Sequence, residues 1–197
     1  MSIKVCVFDA YGTLFDVASA ARELALQPGR ENLKNCWVKL ANDWRHKQLQ
    51  YSWLRTIMNK HKDFWSITQD GLDWALEANN LNDDADLREE LLKLYFNLTS
   101  YPEVSQMLSD LRSNHILTGI LSNGSPDMLD GAVQSAGISD LLNEIISVED
   151  VSIFKPDISV YELVEKRFGC EIGEVLFVSS NCWDACAAAS FGFQTGW

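Results

Sequence analysis

The sequence predicts an α/β fold, with a parallel β-sheet covered by helices on both faces and a helical insert after the first strand. Short apolar runs alternate with stretches whose apolar residues recur at helical spacing. This alternation is typical of parallel sheets, because parallel strands need long crossover connections. Residues 17–98 interrupt it with helical patterns alone. We therefore expect two domains, a Rossmann-like core (1–16 and 99–197) and a helical insert (17–98).

Five short apolar runs are the predicted strands. The first runs from Ile3 to Phe8 and ends directly at Asp9. Its nearly continuous apolar character is typical of a strand buried on both faces. The other predicted strands are residues 116–121, 144–148, 175–179 and 193–197.

Proline and glycine mark the helices between the later strands. Proline favours the first turn of a helix, and glycine favours the position just past its end. The predicted helices begin at Tyr101-Pro102, at Ser125-Pro126, near Asp157 and after Trp183, and the last three end at Gly137, Gly169 and Gly192.

The helical insert is rich in tryptophan. Because aromatic side chains bury large apolar areas, we expect these residues to form the insert's own core and its contact with the sheet domain. Five of the seven tryptophans lie in the insert: Trp37, Trp44, Trp53, Trp65 and Trp74.

The composition excludes several classes of partner. A formal net charge of -12 argues against nucleic acid and anionic membranes, since both need a basic surface. The first residues show no basic segment followed by an apolar run, so we expect no secretion signal, and no apolar run is long enough to span a bilayer. The five cysteines include no Cys-x-x-Cys pair and favour a reducing, cytoplasmic location. Cys182 and Cys186 are interpreted as small packing residues and not as a metal-binding pair.

Polar residues follow four of the predicted strands, at the edge where parallel sheets bind ligands. Each has an ordinary alternative: the residues from Asp9 to Gly12 could form a simple turn, and those from Ser122 to Ser125 a helix-capping loop. Convergence of all of them on one edge favours a functional site. They are Asp9, Tyr11, Thr13, Ser122, Asn123, Lys155, Ser179, Ser180, Asn181 and Asp184.

Four segments at this edge resemble the four sequence motifs of the haloacid dehalogenase (HAD) superfamily: VFDAYGTLFDV, LSNGSPDML, FKPDISVYEL and FVSSNCWDA. They are most similar to the L-2-haloacid dehalogenases, because Tyr11 replaces the second aspartate of the phosphatases and the fourth motif reads Ser-Ser-Asn-x-Trp-Asp. Residues Trp44 to Phe64 of the insert resemble the helical cap of those enzymes. The resemblance also implies that enzymes of this family have chains that continue beyond the position corresponding to Trp197. In this sequence Trp197 lies in the predicted fifth strand.

The resemblance implies hydrolysis of short-chain L-2-haloalkanoic acids to D-2-hydroxy acids, with inversion at C2, through an ester on Asp9. A halide leaves without a proton, so no second aspartate is needed. Asn181 stands where a metal-binding aspartate is expected, and we expect neither a metal nor a cofactor. The alternatives are a HAD-type phosphatase acting on a small phosphorylated metabolite, and a binding protein that retained the fold.

The resemblance also assigns roles to individual residues. Asp9 is the nucleophile, kept ionised by Lys155 and oriented by Thr13 and Ser179. The substrate carboxylate is held by Ser122 and by the backbone around Ala10, Tyr11 and Asn123. The halide is held by Arg45 and Asn123. The apolar walls of the pocket are formed by Tyr11, Leu49, Phe64 and Trp183, and the hydrolytic water is oriented or activated by Asn181, Asp184 and Lys155.

Other expectations concern exposed positions. Arg45 lies in a charged run and by itself would be interpreted as solvated, whereas the resemblance assigns it to the halide. The family often has Gln at the position of His46. We interpret His61 and His115 as surface residues.

The expected partners are a small 2-haloacid and a halide, and an exposed apolar surface on the insert would suit a homodimer, as in relatives.

Overall fold

A computed structural model describes residues 2–197, apart from the side chain of Ala85, and confirms the predicted α/β fold. One five-stranded parallel sheet has the strand order β3-β2-β1-β4-β5. Each strand coincides with a predicted run, although the ends differ slightly. The strands are β1 Val5–Phe8, β2 Leu117–Ser122, β3 Glu144–Ser147, β4 Val175–Val178 and β5 Gln194–Gly196.

Strand β1 lies at the centre of the sheet. All four of its residues are buried, and Phe8 pairs with Ile120 of β2 on one side and Val178 of β4 on the other. Strands β2 and β3 lie on one side of β1, and β4 and β5 lie on the other. The strand order therefore reverses beside β1, which opens a crevice at the carboxyl ends of β1 and β4.

Helices occupy the insert, as expected. Aspartates begin two of them: Asp63 accepts a hydrogen bond from the Ser66 backbone N–H at 2.8 Å, and Asp84 accepts one from Leu87 at 2.8 Å. The division of the chain into two domains remains a prediction. The insert helices are α1 Ser19–Ala25, α2 Glu31–Lys34, α3 Trp37–Met58, α4 Phe64–Ala78 and α5 Ala85–Tyr95.

Four further helices connect the later strands. Asp157 caps the third by accepting a hydrogen bond from the Ser159 N–H at 2.9 Å, and Gly169 ends it at φ 61°, a conformation that favours glycine. The fourth begins at Cys182, slightly earlier than predicted, because Asn181 already occupies the capping position. These helices are α6 Val104–Ser113, α7 Pro126–Ser135, α8 Ile158–Phe168 and α9 Cys182–Phe191.

Most tryptophans of the insert lie where we expected, and Trp74 is the exception. Trp37 and Trp65 are half-buried and pack against the core. Trp44 is buried and donates its indole N–H to the Thr68 carbonyl at 2.8 Å. Trp74 is 38% exposed, with the Lys47 ammonium 4.1 Å from the centre of its ring. Trp53 packs edge-on against Trp183 of α9 (Cys182–Phe191), with ring centroids 5.4 Å apart. Helix α4 thus has a solvent-facing position, Trp74, that its aromatic spacing did not reveal.

The interpretation of Cys182 and Cys186 as packing residues is wrong. Both thiols are exposed, because they lie on the outward face of α9, with their sulfur atoms 3.9 Å apart. None of the helices in the described part of the chain combines the length and the apolar composition needed to cross a membrane.

Candidate active site

Asp9 lies at the centre of the crevice because a tight turn follows β1. The Asp9 backbone N–H donates to the Val178 carbonyl at 3.0 Å and so extends the pairing with β4 by one residue. The Ala10 carbonyl then accepts hydrogen bonds from the N–H groups of Thr13 at 3.2 Å and Leu14 at 2.9 Å. Gly12 occupies the turn at φ 88°, where a side chain would be strained. The turn therefore directs the Asp9 carboxylate into the crevice.

The Asp9 carboxylate is held through both oxygen atoms. Lys155 Nζ lies 3.2 Å from Oδ1. The Asn181 amide donates to Oδ2 at 2.8 Å, and the hydroxyls of Thr13 and Ser179 lie 3.4 and 3.5 Å from the same atom. A cation and three neutral donors thus orient one carboxylate, as a nucleophile requires.

Lys155 joins two carboxylates. It is 1% exposed, and its ammonium lies 2.7 Å from Asp184 Oδ2 as well as near Asp9. Burial raises the pKa of the Asp184 carboxyl, while the charge of Lys155 opposes that rise. The ammonium also lies 4.9 Å from the centre of the Phe177 ring. A lysine this deeply buried is stable only because its charge is paired.

Tyr161 is a member of this cluster that the sequence did not predict. Its hydroxyl donates to Asp184 Oδ1 at 2.7 Å, and burial raises the pKa of the phenol above its ordinary value. Tyr161 lies within the segment FKPDISVYEL, but its spacing in α8 is that of any core residue. The one hint in the sequence is that a Tyr161 hydroxyl buried among apolar residues would need a hydrogen-bond partner.

The loop after β2 forms the second side of the crevice. The Asn123 side-chain oxygen accepts a hydrogen bond from the Lys155 backbone N–H at 3.0 Å. The Ser122 hydroxyl accepts one from the Gly124 N–H at 3.1 Å. A Cβ on Gly124 would lie 2.8 Å from a ring carbon of Tyr11, so the close approach of the loop to that ring requires glycine.

Helix α3 places Arg45 over the turn that follows β1. The Arg45 guanidinium donates to the Tyr11 carbonyl at 3.0 Å, and the side chain is half-buried. Arg45 therefore lies beside the crevice and is not fully solvated. Leu49 is also half-buried and, four residues later, lies on the same face of α3.

Aromatic rings surround Tyr11. Its ring lies 5.9 Å from Phe64 and 5.8 Å from Tyr95, against which it stacks. The Tyr11 hydroxyl is buried without a hydrogen-bond partner in the described part of the chain, and burial raises its pKa well above the ordinary value. The sequence did not predict Tyr95, whose hydroxyl donates to Gln48 at 3.0 Å. These contacts make the side of the crevice nearest the insert apolar.

An apolar cavity lies beside Trp183. The half-buried Trp183 ring borders an apolar cavity of about 460 Å³ that Trp53, Ile57 and Pro156 also line. His46 is exposed and lines an outer groove with Asp43 and Lys47. The contacts described above connect Asp9 with Thr13, Lys155, Ser179 and Asn181, and they connect Lys155 with Asn123 and Asp184. The roles of these and of the other predicted site residues remain predictions.

The donor set does not fit a magnesium ion. Asp9 and Asp184 both contact the Lys155 ammonium, which supplies the positive charge between them. Asn181 directs its amide nitrogen, a hydrogen-bond donor, at Asp9. Within residues 2–197, no group of three or more His, Cys, Asp or Glu side chains is arranged to hold a metal. Metal independence remains a prediction.

Two predicted surface histidines differ in their environment. His115 is exposed, as expected. The side chain of His61 is only 18% exposed and contacts Glu149, so the interpretation of His61 as a surface residue is wrong. The physical reason is that Glu149 and Phe154, from the segment after β3, pack against the His61 ring.

Comparisons with known proteins agree with this geometry. The profile of the haloacid dehalogenase-like hydrolases matches residues 3–192. The chain is 42% identical to (S)-2-haloacid dehalogenase 1 of Pseudomonas sp. (strain CBS-3), covering 98% of this chain and 83% of the relative. It is 43% identical to the (S)-2-haloacid dehalogenase of Xanthobacter autotrophicus, covering 98% and 73%.

A solved structure extends the comparison. L-2-haloacid dehalogenase from Xanthobacter autotrophicus, with chloropropionic acid covalently bound, superposes with a TM-score of 0.87 at 42% identity, covering 98% of this chain and 76% of that one. The matches in sequence and in fold both extend over nearly the whole chain. The chain therefore belongs to the haloacid dehalogenase-like hydrolases and, among them, to the family of the (S)-2-haloacid dehalogenases.

Proposed function

We propose that this protein hydrolyses the carbon–halogen bond of short-chain L-2-haloalkanoic acids and releases D-2-hydroxy acids and halide. The observation that carries the proposal is the Asp9 carboxylate, held by Lys155 and three neutral donors beside an apolar wall. The names of the relatives, and the chloropropionic acid covalently bound to one of them, support it.

In the first step, an Asp9 carboxylate oxygen attacks C2 of the substrate from the side opposite the halogen. The new C–O bond forms as the carbon–halogen bond breaks, and the bonding electron pair leaves with the halide. Arg45 and the Asn123 amide stabilise the charge that develops on the halide. Ser122 and the backbone around Ala10, Tyr11 and Asn123 hold the substrate carboxylate.

In the second step, water attacks the carboxyl carbon of the Asp9 ester. Asn181, Asp184 and Lys155 orient or activate this water, and a proton reaches the oxygen on C2 as the ester C–O bond breaks. Burial raises the pKa of the Asp184 carboxyl above its ordinary value, and a raised pKa makes a carboxylate a stronger base. The bond between C2 and its new oxygen stays intact, so the configuration at C2 is inverted once.

The apolar walls contribute by limiting access of water. Tyr11 and Phe64 are almost completely buried, and Leu49 and Trp183 complete the apolar side. A poorly hydrated carboxylate is a better nucleophile, and charges in a dry site interact more strongly. The walls therefore favour attack of Asp9 on the substrate by keeping water away from the carboxylate during the first step.

A phosphatase activity is the alternative function on this fold. It would need an acid to protonate an alkoxide leaving group, and Tyr11 occupies that position. Burial raises the pKa of Tyr11 well above its ordinary value, and its ring packs against Phe64 and Tyr95, so it is a poor proton donor. The family relationship also favours dehalogenation over this alternative.

The wider proposal includes two domains, a homodimer and a cytoplasmic location, with no metal, cofactor, nucleic acid or membrane partner. Support for a homodimer is an apolar surface on α3 and the start of α8. The exposed residues there are Leu54, Ile57, Met58 and Ile158, which would be covered by a second copy of the chain.

Halide release from the two enantiomers of 2-chloropropionate tests the proposed function. We expect release from the L enantiomer alone, a D-lactate product, and activity that survives EDTA. Hydrolysis of small phosphate esters, abolished by EDTA and accompanied by no halide release, would support the phosphatase instead. No turnover of either substrate class would favour a binding protein that retained the fold.

A further inference from the structure

The helical insert and the sheet domain meet at a polar contact beside the active site. From the insert, the turn between α3 and α4 contributes His61, and α4 begins immediately afterwards at Phe64. From the sheet domain, the segment that follows β3 contributes Glu149 and Phe154. None of these residues except Phe64 belongs to the proposed catalytic machinery.

Glu149 makes two hydrogen bonds across this contact. Its Oε1 accepts one from the Phe64 backbone N–H at 3.1 Å, and its Oε2 lies 3.2 Å from His61 Nε2. The Phe64 N–H is one of the helix-terminal donors that have no partner inside α4. A carboxylate is also favoured at the N-terminus of a helix. Glu149 therefore fixes the end of α4 that carries Phe64, a wall of the substrate pocket.

The other side of the contact leads to Lys155. The His61 ring packs on Phe154, with centroids 4.7 Å apart, and Phe154 directly precedes Lys155. The Thr56 hydroxyl lies 3.3 Å from the Phe154 backbone nitrogen and 3.4 Å from its carbonyl oxygen. The Phe154 ring also lies 6.0 Å from Phe64. A shift at this contact would move both the apolar wall and the segment that holds the lysine.

The histidine is not explained by packing alone. His61 Nδ1 is buried and has no hydrogen-bond partner among the described residues. An apolar ring at this position would pack against Phe154 without leaving a buried nitrogen unpaired. What the imidazole adds is its hydrogen bond to Glu149.

We propose that His61 and Glu149 form a positioning pair that sets the distance between Phe64 and the Phe154–Lys155 segment and thereby the closure of the substrate pocket. Neither residue touches the reacting atoms. The inference rests on the proposed dehalogenase function, because the pocket that it positions is the one assigned to the haloacid.

Kinetics of Glu149 variants test the pair. Glu149→Ala removes both hydrogen bonds, and we expect kcat/KM for L-2-chloropropionate to fall about 10- to 100-fold, the range reached when a reacting group is misplaced by about 1 Å. Glu149→Gln keeps an acceptor for the Phe64 N–H and should recover most of that loss. The kcat/KM of His61→Ala should lie between the values of the two Glu149 variants, and its KM should exceed that of the wild type, since the Phe64 wall loses one of its two constraints.

A matched control separates positioning from stability. Glu144→Gln removes a comparable charge from the pair that Glu144 forms with Arg167 at 3.0 Å, and it should leave kcat and KM unchanged. Unchanged kinetics in Glu149→Ala with only a lower Tm would make the pair structural and overturn the proposal. Equal losses in Glu149→Gln and Glu149→Ala would also overturn it.

Two further results can be distinguished. If Glu149→Ala does not fold, the His61→Ala variant carries the test, and normal kinetics there would refute the pair. If the wild-type protein releases no halide, the proposed function fails, and this inference fails with it.

Discussion

Replacing Lys155 by methionine removes the cation between two buried carboxylates. Asp9 is 6% exposed and Asp184 is 0% exposed, and Lys155 Nζ lies 3.2 and 2.7 Å from their respective oxygens. Methionine has a similar length, so the packing against Phe177 is largely preserved. The main change is therefore two negative charges left in a poorly hydrated crevice without their counterion.

The expected cost is large. Removing one partner of a buried ion pair destabilises a protein by about 3–5 kcal/mol, against a total stability of about 5–15 kcal/mol for an ordinary domain. For a chain of this size, the loss corresponds to a fall in Tm of about 6–20 °C. Adding Asp184→Asn should recover part of the loss, because it removes one of the two unpaired charges.

The loss should depend on pH in a defined direction. Burial already raises the pKa of Asp184, and removing Lys155 abolishes the charge that opposes this rise. The folded variant therefore binds a proton at pH values where the unfolded chain has lost it, so its stability increases as the pH falls. The deficit should be largest above the folded-state pKa of Asp184 and should shrink as the pH falls through that value.

Urea denaturation followed by circular dichroism measures these changes. Lys166→Met is the control, because Lys166 is 64% exposed in its pair with Glu162, and such pairs contribute about 0–1 kcal/mol. Equal stabilities of the Lys155 and Lys166 variants would refute the buried arrangement around Lys155. A deficit in Lys155→Met that grows as the pH falls would refute the assignment of the unpaired charge to Asp184.

Three further predictions concern the chemistry. Asp9→Asn should abolish halide release while the far-ultraviolet circular dichroism spectrum is unchanged, since an amide is a poor nucleophile of nearly the same shape; appreciable release, with deamidation excluded by mass spectrometry, would contradict its role. Arg45→Ala should slow the formation of the ester about 100-fold or more in single-turnover kinetics, as expected for loss of a donor to developing charge, and normal rates would mean that Arg45 has no role in the reaction. In a single turnover in ¹⁸O-water with enzyme in excess, the first 2-hydroxy acid should be largely unlabelled and the peptide containing Asp9 labelled; the opposite distribution would indicate direct attack of water on C2.

The elements around Asp9 could be predicted because their signals are local. An apolar strand followed by a glycine-containing turn specifies where the chain bends, and glycine at φ 88° is needed at that bend whatever surrounds it. The sheet also follows from local patterns, since alternating apolar runs and helical spacings leave few topologies open. Asp9, Lys155 and Asn181 could therefore be expected at one edge of the sheet before any distance was known.

The partners of the buried groups could not be predicted in this way. Tyr161 has the spacing of a core residue in α8, and its bond to Asp184 depends on how α8 and α9 pack. The interpretation of His61 as a surface residue failed in the same way. The burial of His61 depends on Glu149 and Phe154, which come from a distant part of the chain.

The sequence by itself determined the α/β fold, the order of strands and helices along the chain, and the residue types at the carboxyl edge of the sheet, among them Asp9, Tyr11 and Asn181. These depend on backbone propensities and on residue types, which a linear pattern carries. Only the tertiary structure decided that Lys155 joins two carboxylates, that Cys182 and Cys186 face outward, and that Glu149 holds the start of α4. Burial and ion pairing depend on which surfaces meet in space, and residues far apart in the chain determine that together.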